Sequence, residues 1–162
     1  MSLRHSLLDE PLIRARLRSS DDPVAYSLPR LFVALAEDRV CDFPALRPHQ
    51  RHPWHAFLVQ LAAITLHHRG VSEPLAGEGQ WRELLLALTP NHPDGAAWHL
   101  IAPIEGPAFL QAPVPEKTLA GWKDDMPTPD SLDILITSKN HDLKQQRMRR
   151  SSIDDWVYAQ PF

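Results

Sequence analysis

Proline is the residue that most constrains what this 162-residue chain can fold into, because the chain contains 16 prolines and only 6 glycines. That proline share is about twice the usual share of roughly 5%. Proline lacks a backbone N–H and has a restricted φ, so it interrupts helix interiors and central strands. The surplus argues against a bundle of long helices and against a parallel doubly wound sheet. We predict an α+β fold: an irregular, helix-rich globular domain with short strands and Pro-rich ordered loops.

The rest of the composition is that of an ordinary globular protein, with 43% hydrophobic and 23% charged residues. The length is enough to bury a substantial core. The single cysteine, Cys41, excludes an internal disulfide and a cysteine-based zinc cluster, and we expect it to be a buried structural thiol. The sequence has no apolar run of transmembrane length and no signal-peptide pattern. We therefore expect a cytoplasmic protein.

Local patterns predict short elements near the amino terminus. The alternation of apolar residues and arginines from Leu12 to Arg18 predicts an edge strand, followed by a turn over 19–23. Ser27 and Pro29 are typical of a helix start, and they predict a short helix that buries Leu31 and neighbouring apolar residues.

The clearest pattern is a helix from Pro53 to His68, which Gly70 would end. Its apolar spacing predicts core positions at Phe57, Leu58, Leu61, Ile64 and Thr65. Further segments are interpreted as a helix at 80–88, a strand at 98–101, an ordered loop at 103–115, a short apolar element at 131–137 and the start of a helix at 154–158. We expect Trp54 and Trp81 in the core.

Charge is distributed unevenly along the chain. Residues 21–138 carry 8 basic and 15 acidic side chains, whereas residues 139–150 carry five basic side chains and one acidic one. Lysine, arginine, asparagine and glutamine in this short segment are donors that contact phosphates, sugars and base edges. The segment has no aromatic residue for base stacking. It is therefore interpreted as one contact loop of a larger nucleic-acid assembly, the alternative being an ordinary solvated surface.

The sequence gives little support to an enzyme. It contains no Gly-x-Ser-x-Gly, no His-Glu-x-x-His and no glycine-rich phosphate loop. Three histidines at a spacing of three, His49, His52 and His55, invite a metal site, but Pro53 interrupts their register and no carboxylate or cysteine partner has the usual spacing. We predict a non-catalytic protein without metal or cofactor. A histidine-dependent metal enzyme remains as a minor alternative.

Several segments in the same order resemble one family. They include Leu7–Ile13, Ser27–Leu31, the Phe-Pro-Ala-Leu-Arg-Pro-His-Gln stretch at 43–50 with the helix that follows, 107–111, and Lys-Asn-His-Asp at 139–142. In these stretches the chain is similar to the N-terminal part of CasA, the large subunit of the type I-E CRISPR Cascade complex. The resemblance covers nearly the whole chain.

The resemblance implies a role in antiviral defence. CasA-like subunits contact the CRISPR RNA 5′ handle region and other Cascade subunits, and in full length they recognise target DNA; none of this involves a membrane. A loop of the N-terminal domain contacts the handle, and the loop after Ile136 falls at that place. The candidate nucleic-acid-binding residues are Lys139, Asn140, His141 and Lys144, with Arg147, Arg149 and Arg150 as additions.

The same resemblance sets the expected organisation: an N-terminal large-subunit-like globular domain at 1–150 and the start of a truncated helix at 151–162. Family members continue for several hundred residues, and the parts that read the adjacent motif and recruit the nuclease would lie after Phe162. Those activities are therefore not transferred to this chain. The alternative is a standalone truncated interaction protein that modulates Cascade.

Overall fold

The computed structural model describes residues 4–115, 118, 126–132 and 148–161. Within them, helices and a three-stranded antiparallel sheet pack together, which confirms the predicted α+β fold class. The elements are β1 (Ile13–Leu17), β2 (Ser20–Tyr26), α1 (Leu28–Ala36), β3 (Val40–Asp42), α2 (Arg51–Arg69), α3 (Glu78–Ala87) and α4 (Ile153–Ala159), with 3₁₀ turns at Pro48–Gln50 and Ala96–Trp98.

The strand order is β2-β1-β3, so β1 is the central strand. The predicted strand is confirmed, but its predicted place at the sheet edge is wrong. Ile13 and Ala15 point into the core and are fully buried. The alternate residues Arg14 and Arg16 find carboxylate partners on neighbouring elements. Arginines that are neutralised in this way are compatible with a central strand, whereas sequence alternation alone suggests an edge.

The predicted turn at 19–23 is confirmed only in part, because it is shorter and begins earlier than predicted. The chain turns at Arg18 and Ser19, and β2 already begins at Ser20. Pro23 lies opposite Arg16 within the strand. β2 is an edge strand with a neighbouring strand on one side only, and proline, which has no backbone N–H, is tolerated at such an edge. The proline therefore marks the edge of the sheet rather than a turn.

The helix predictions are largely confirmed. Ser27 caps α1 by accepting a hydrogen bond from the Arg30 N–H at 3.4 Å, and Pro29 lies in the first turn. Gly70 ends α2 with a φ of 69°, a left-handed conformation that favours glycine. The predicted 80–88 helix is α3, and the 103–115 segment is a loop apart from a single bridge between Ala108 and Gln111.

The core is rich in aromatic rings. Trp54 packs edge-on against Tyr158 with ring centroids 4.9 Å apart and against Phe43 at 5.8 Å. Trp81 stacks on Phe32 at 4.7 Å. Trp54 and Trp81 are buried, as predicted. Tyr158 joins this cluster from α4, so the predicted helix start near the carboxyl terminus packs into the same core.

Three further sequence predictions are wrong. Ile64 is 57% exposed, because the buried side of α2 runs through Trp54, Leu58 and Thr65. Cys41 is exposed, since β3 is a short edge strand with little covering it. The 98–101 segment forms a 3₁₀ turn ending at Trp98 and a single bridge at His99, not a strand.

One predicted element falls largely outside the described residues. Of the apolar element at 131–137, only residues 131 and 132 are described, and they are helical together with 129 and 130. In the described part of the chain, no helix combines the length and apolar character needed to cross a membrane.

Candidate nucleic-acid interface

The basic segment at 139–150 is the site predicted from sequence. Its first part lies outside the described residues, and with it the candidates Lys139, Asn140, His141, Lys144 and Arg147. The structure describes the segment from Met148 onward and places both remaining candidates, Arg149 and Arg150, on the surface with exposed side chains. The site can therefore be built from its carboxyl-terminal end.

The first anchor of this segment is at Met148. Its backbone N–H donates a hydrogen bond to Asp130 Oδ2 at 2.9 Å. Asp130 is only 3% exposed, and its other carboxylate oxygen accepts a hydrogen bond from the Thr128 hydroxyl. On the other side, Arg47 Nη2 contacts Met148 Sδ at 2.6 Å. A buried carboxylate that accepts a backbone N–H holds the chain at a defined position.

The second anchor follows at Ser152. The Ser152 hydroxyl accepts a hydrogen bond from Arg14 Nη2 at 3.0 Å, which ties the segment to the central strand. Ser152 also begins α4 as its N-cap: its backbone N–H donates to Asp155 Oδ2 at 2.7 Å. Capping of this kind satisfies backbone groups that a helix start otherwise leaves without partners. The hydrogen bonds of Ser152 therefore fix the path of the backbone from the basic segment into α4.

Arg149 and Arg150 lie between these two anchors. Neither forms an ion pair with another described residue, and both are exposed. The planar guanidinium of arginine presents several N–H donors that match the oxygens of a phosphate. Anchoring on both sides lowers the entropy that such a pair would lose on binding. The arrangement can therefore bind an anionic group without prior ordering of the local backbone.

Arg4, Arg51 and Arg69 are also exposed without an ion pair to a described residue, but five other arginines of the described residues are already paired with carboxylates within the fold. Because a paired arginine must first give up its partner, these residues are poorer phosphate ligands than Arg149 and Arg150. The pairs are Arg14 with Asp154, Arg16 with Asp42, Arg18 with Asp38, Arg39 with Glu37, and Arg82 with Asp9.

The start of α2 can extend this basic surface. Arg47, which contacts Met148, precedes the 3₁₀ turn that leads into α2. Arg51 and His52 follow within the first two residues of α2, and both are exposed. Arg47 thus joins the Met148 anchor to the start of α2, where Arg51 and His52 are further exposed donors.

The histidine set does not form a metal centre among the described residues, which contain no group of three or more His, Cys, Asp or Glu side chains placed to hold an ion. His49 lies in the 3₁₀ turn before α2, while His52 and His55 are exposed on α2. Pro53 is accommodated in the first turn of α2, so the helix is continuous through these positions.

Sequence reasoning missed the residues that anchor the site: Asp130, Arg47, Arg14 and Ser152. Their contacts with the segment join residues far apart in the chain, with Arg14 and Ser152 separated by 138 positions. The only local signal is the Thr-Pro-Asp-Ser stretch at 128–131, which is typical of a turn or helix start with a side-chain acceptor. Nothing in that stretch indicates which distant backbone N–H it would accept.

No protein-family model, no curated protein and no solved structure matches this chain.

Proposed function

We propose that this chain is a non-catalytic, nucleic-acid-binding interaction domain of the CasA type, which contacts the CRISPR RNA 5′ handle and neighbouring Cascade subunits through the segment at 139–150. Two facts support the proposal: the order of CasA-like sequence segments and the anchored, exposed Arg149–Arg150 pair. The arginine pair is the observation that carries it. The proposal places the protein in the cytoplasm, with target DNA as a partner of the full-length subunit.

The chemistry of the segment favours contact with the RNA backbone. Residues 139–150 contain no Phe, Tyr or Trp, so bases have no stacking platform there. Arginine and lysine instead neutralise phosphates, which gives affinity and position but little sequence discrimination. The segment therefore acts as a backbone contact within an assembly in which other subunits supply specificity.

The charge of the remaining chain favours this segment as the nucleic-acid contact. The net charge is −3, and the excess of acidic groups lies in residues 21–138. An acidic body repels a polyanion everywhere except where cations are concentrated. Binding through the 139–150 segment would thus be oriented, with the acidic body facing away from the RNA.

A pull-down against Cascade assembled on guide RNA without its large subunit tests the proposal. We expect the wild-type chain to be retained and the double variant Arg149→Ala/Arg150→Ala to be retained several-fold less. The matched control is Arg4→Ala/Arg69→Ala, which removes the same charge from two exposed positions outside the segment.

The outcomes separate the alternatives. No retention of the wild-type chain contradicts the proposed assembly partner. Equal retention of both double variants contradicts the role of the arginine pair. If the wild-type chain binds but prevents the intact large subunit from joining, the standalone modulator is the better description.

A further inference from the structure

A second surface, unrelated to the basic segment, lies between α1, α2 and α3. It is a groove of about 410 Å³ whose lining is almost entirely apolar. This volume lies within the range of roughly 300–1,000 Å³ typical of binding sites for apolar groups. Its principal lining residues are Phe32, Phe43, Leu58, Val59, Leu66 and Trp81.

The groove is built rigidly and is open along its outer side. The stacked rings of Phe32 and Trp81 hold one wall, and the Trp81 indole N–H donates to the Leu75 carbonyl at 2.9 Å. Val59 on the opposite rim is 69% exposed. A small molecule would keep much of its surface in water here, whereas an amphipathic helix laid along α2 would cover the rim as well.

The charges of α2 indicate the chemistry of such a helix. Its 19 residues include Arg51, His52, His55, His67, His68 and Arg69 but no Asp or Glu. None of these six forms an ion pair with another described residue, and His55 is the only titratable side chain in the groove lining. The apolar stretch of α2 is therefore flanked at both ends by donors to carboxylates.

Acidic groups near the groove are few. Glu37 follows the lining residue Ala36 and is paired with Arg39 at 2.5 Å, and Asp38 pairs with Arg18. Glu73 precedes the lining residue Pro74 near the far end of the groove. At the end with His55 and Phe43, Asp42 precedes Phe43 but is paired with Arg16 at 3.0 Å. His55 and His52, one turn away on α2, are therefore available there to a carboxylate of a partner.

From this charge pattern we propose that the groove binds an amphipathic helix of a partner protein, with one bulky apolar side chain in the cavity and acidic residues against the basic residues of α2. The carboxylates would meet His52 and His55 at one end. Apolar anchors give the affinity of such helix-in-groove contacts, and the charges set orientation and partner choice.

Two synthetic amphipathic peptides of roughly four helical turns provide the probe. They share one leucine stripe and differ only in flanking residues, which are glutamates in one and lysines in the other. Each carries a fluorophore for anisotropy and a photo-crosslinker beside the central leucine. We expect the glutamate peptide to bind saturably, at least about tenfold more tightly than the lysine peptide, and to cross-link to α2 around Val59.

The chain offers a matched pair of variants. Val59→Glu and Ile64→Glu make similar changes at two exposed β-branched positions of the same helix, but only Val59 lines the groove. We expect Val59→Glu to weaken binding of the glutamate peptide by about tenfold or more, and Ile64→Glu to change it less than about twofold. Circular dichroism of both variants checks that α2 is intact.

The proposal is overturned if neither peptide binds, if both bind equally, or if the two variants weaken binding alike. Cross-links outside the groove would also overturn it. A second copy of this chain is the other possible occupant of the groove, and sedimentation of the chain alone tests for it. A dimer that Val59→Glu dissociates would show that the groove serves self-association instead.

Discussion

Arg14 in the central strand and Asp154 in the first turn of α4 form a two-point ion pair across 140 positions of sequence. Arg14 Nε lies 2.7 Å from Asp154 Oδ2, and Nη2 lies 3.0 Å from Oδ1. Asp154 is 2% exposed, whereas Arg14 is nearly half exposed. The hydrogen bond to Asp154 raises the pKa of Arg14 above its usual value. This pair, with Ser152, joins the sheet to the carboxyl-terminal helix.

Replacing Arg14 with alanine is expected to lower the free energy of unfolding by about 2–3 kcal/mol, because it leaves a buried carboxylate without its charged partner. Urea unfolding followed by tryptophan fluorescence measures the change. Arg16→Ala is the control: its partner Asp42 is about half exposed, so the loss should be below about 1 kcal/mol. Equal losses in the free energy of unfolding for the two variants would show that the Arg14–Asp154 pair stabilises the fold no more than an exposed ion pair does.

Tyr158 makes the second contact between α4 and β1. Its hydroxyl donates to the Arg14 carbonyl at 3.0 Å, and its side chain is fully buried. Burial raises the pKa of Tyr158 above its usual value. Above about pH 10 the unfolded chain therefore loses a proton that the folded chain retains, and stability falls as pH rises.

Tyr158→Phe should consequently have two effects. Near pH 7 it should lower the free energy of unfolding by about 1 kcal/mol, because the Arg14 carbonyl loses its donor. Between about pH 9 and 11 the variant should lose less stability than the wild type, since it has no hydroxyl to ionise. Parallel pH profiles of urea unfolding would contradict this account.

Local chemistry explains which elements could be predicted. The start of α1 and the end of α2 could be predicted, because Ser27, Pro29 and Gly70 affect only the backbone next to them. The exposure of Ile64 could not be predicted, because it depends on which side of α2 the other elements cover. The edge position of β2 is likewise a tertiary outcome, and it allows Pro23 to lie within a strand.

The candidate site shows the same division. The concentration of cations at 139–150 is a local property and was visible in the sequence. The role of Asp130 is not visible in the sequence. Asp130 accepts a hydrogen bond from the N–H of Met148, 18 residues away, and only the fold brings the two residues together. The alternation in sequence does not distinguish Arg14, Arg16 and Arg18 from one another, yet each meets a different acidic partner in the fold.

The Asp9–Arg82 pair predicts an acid-dependent contribution to stability. Arg82 Nε donates to Asp9 Oδ1 at 2.7 Å, and this hydrogen bond lowers the pKa of Asp9. The stabilisation is present above the usual aspartate pKa of about 4 and is lost as pH falls through the lowered value. Both side chains are about half exposed, so the effect should stay below about 1 kcal/mol.

Arg82→Ala should therefore be less stable than the wild type at pH 7, and the two should become equally stable as pH falls through the lowered pKa of Asp9. Thermal unfolding across this pH range measures the difference. Arg69→Ala removes an exposed arginine that has no ion pair among the described residues, and its difference from the wild type should not follow the titration of Asp9. A difference in stability between Arg82→Ala and the wild type that is constant with pH would contradict the ion pair between Arg82 and Asp9.

Asp130→Asn tests whether anchoring of the basic segment matters for RNA binding. The amide keeps the shape of the side chain but weakens the acceptor for the Met148 N–H. If anchoring orders Arg149 and Arg150, affinity for a handle RNA should fall by a few-fold while the number of phosphate contacts, and hence the salt dependence, stays the same. A change in salt dependence without loss of affinity would contradict a positioning role.

The salt dependence of RNA binding distinguishes phosphate contact from indirect effects of charge. For single-stranded nucleic acid, the slope of log affinity against log salt is about −0.7 for each phosphate neutralised. If Arg149 and Arg150 each contact one phosphate, their double alanine variant should have a slope shallower by roughly 1–1.5. Arg4→Ala/Arg69→Ala, with the same net charge, should keep the wild-type slope. Equal slopes for all three proteins, measured by anisotropy with a labelled handle RNA, would exclude direct phosphate contact by the arginine pair.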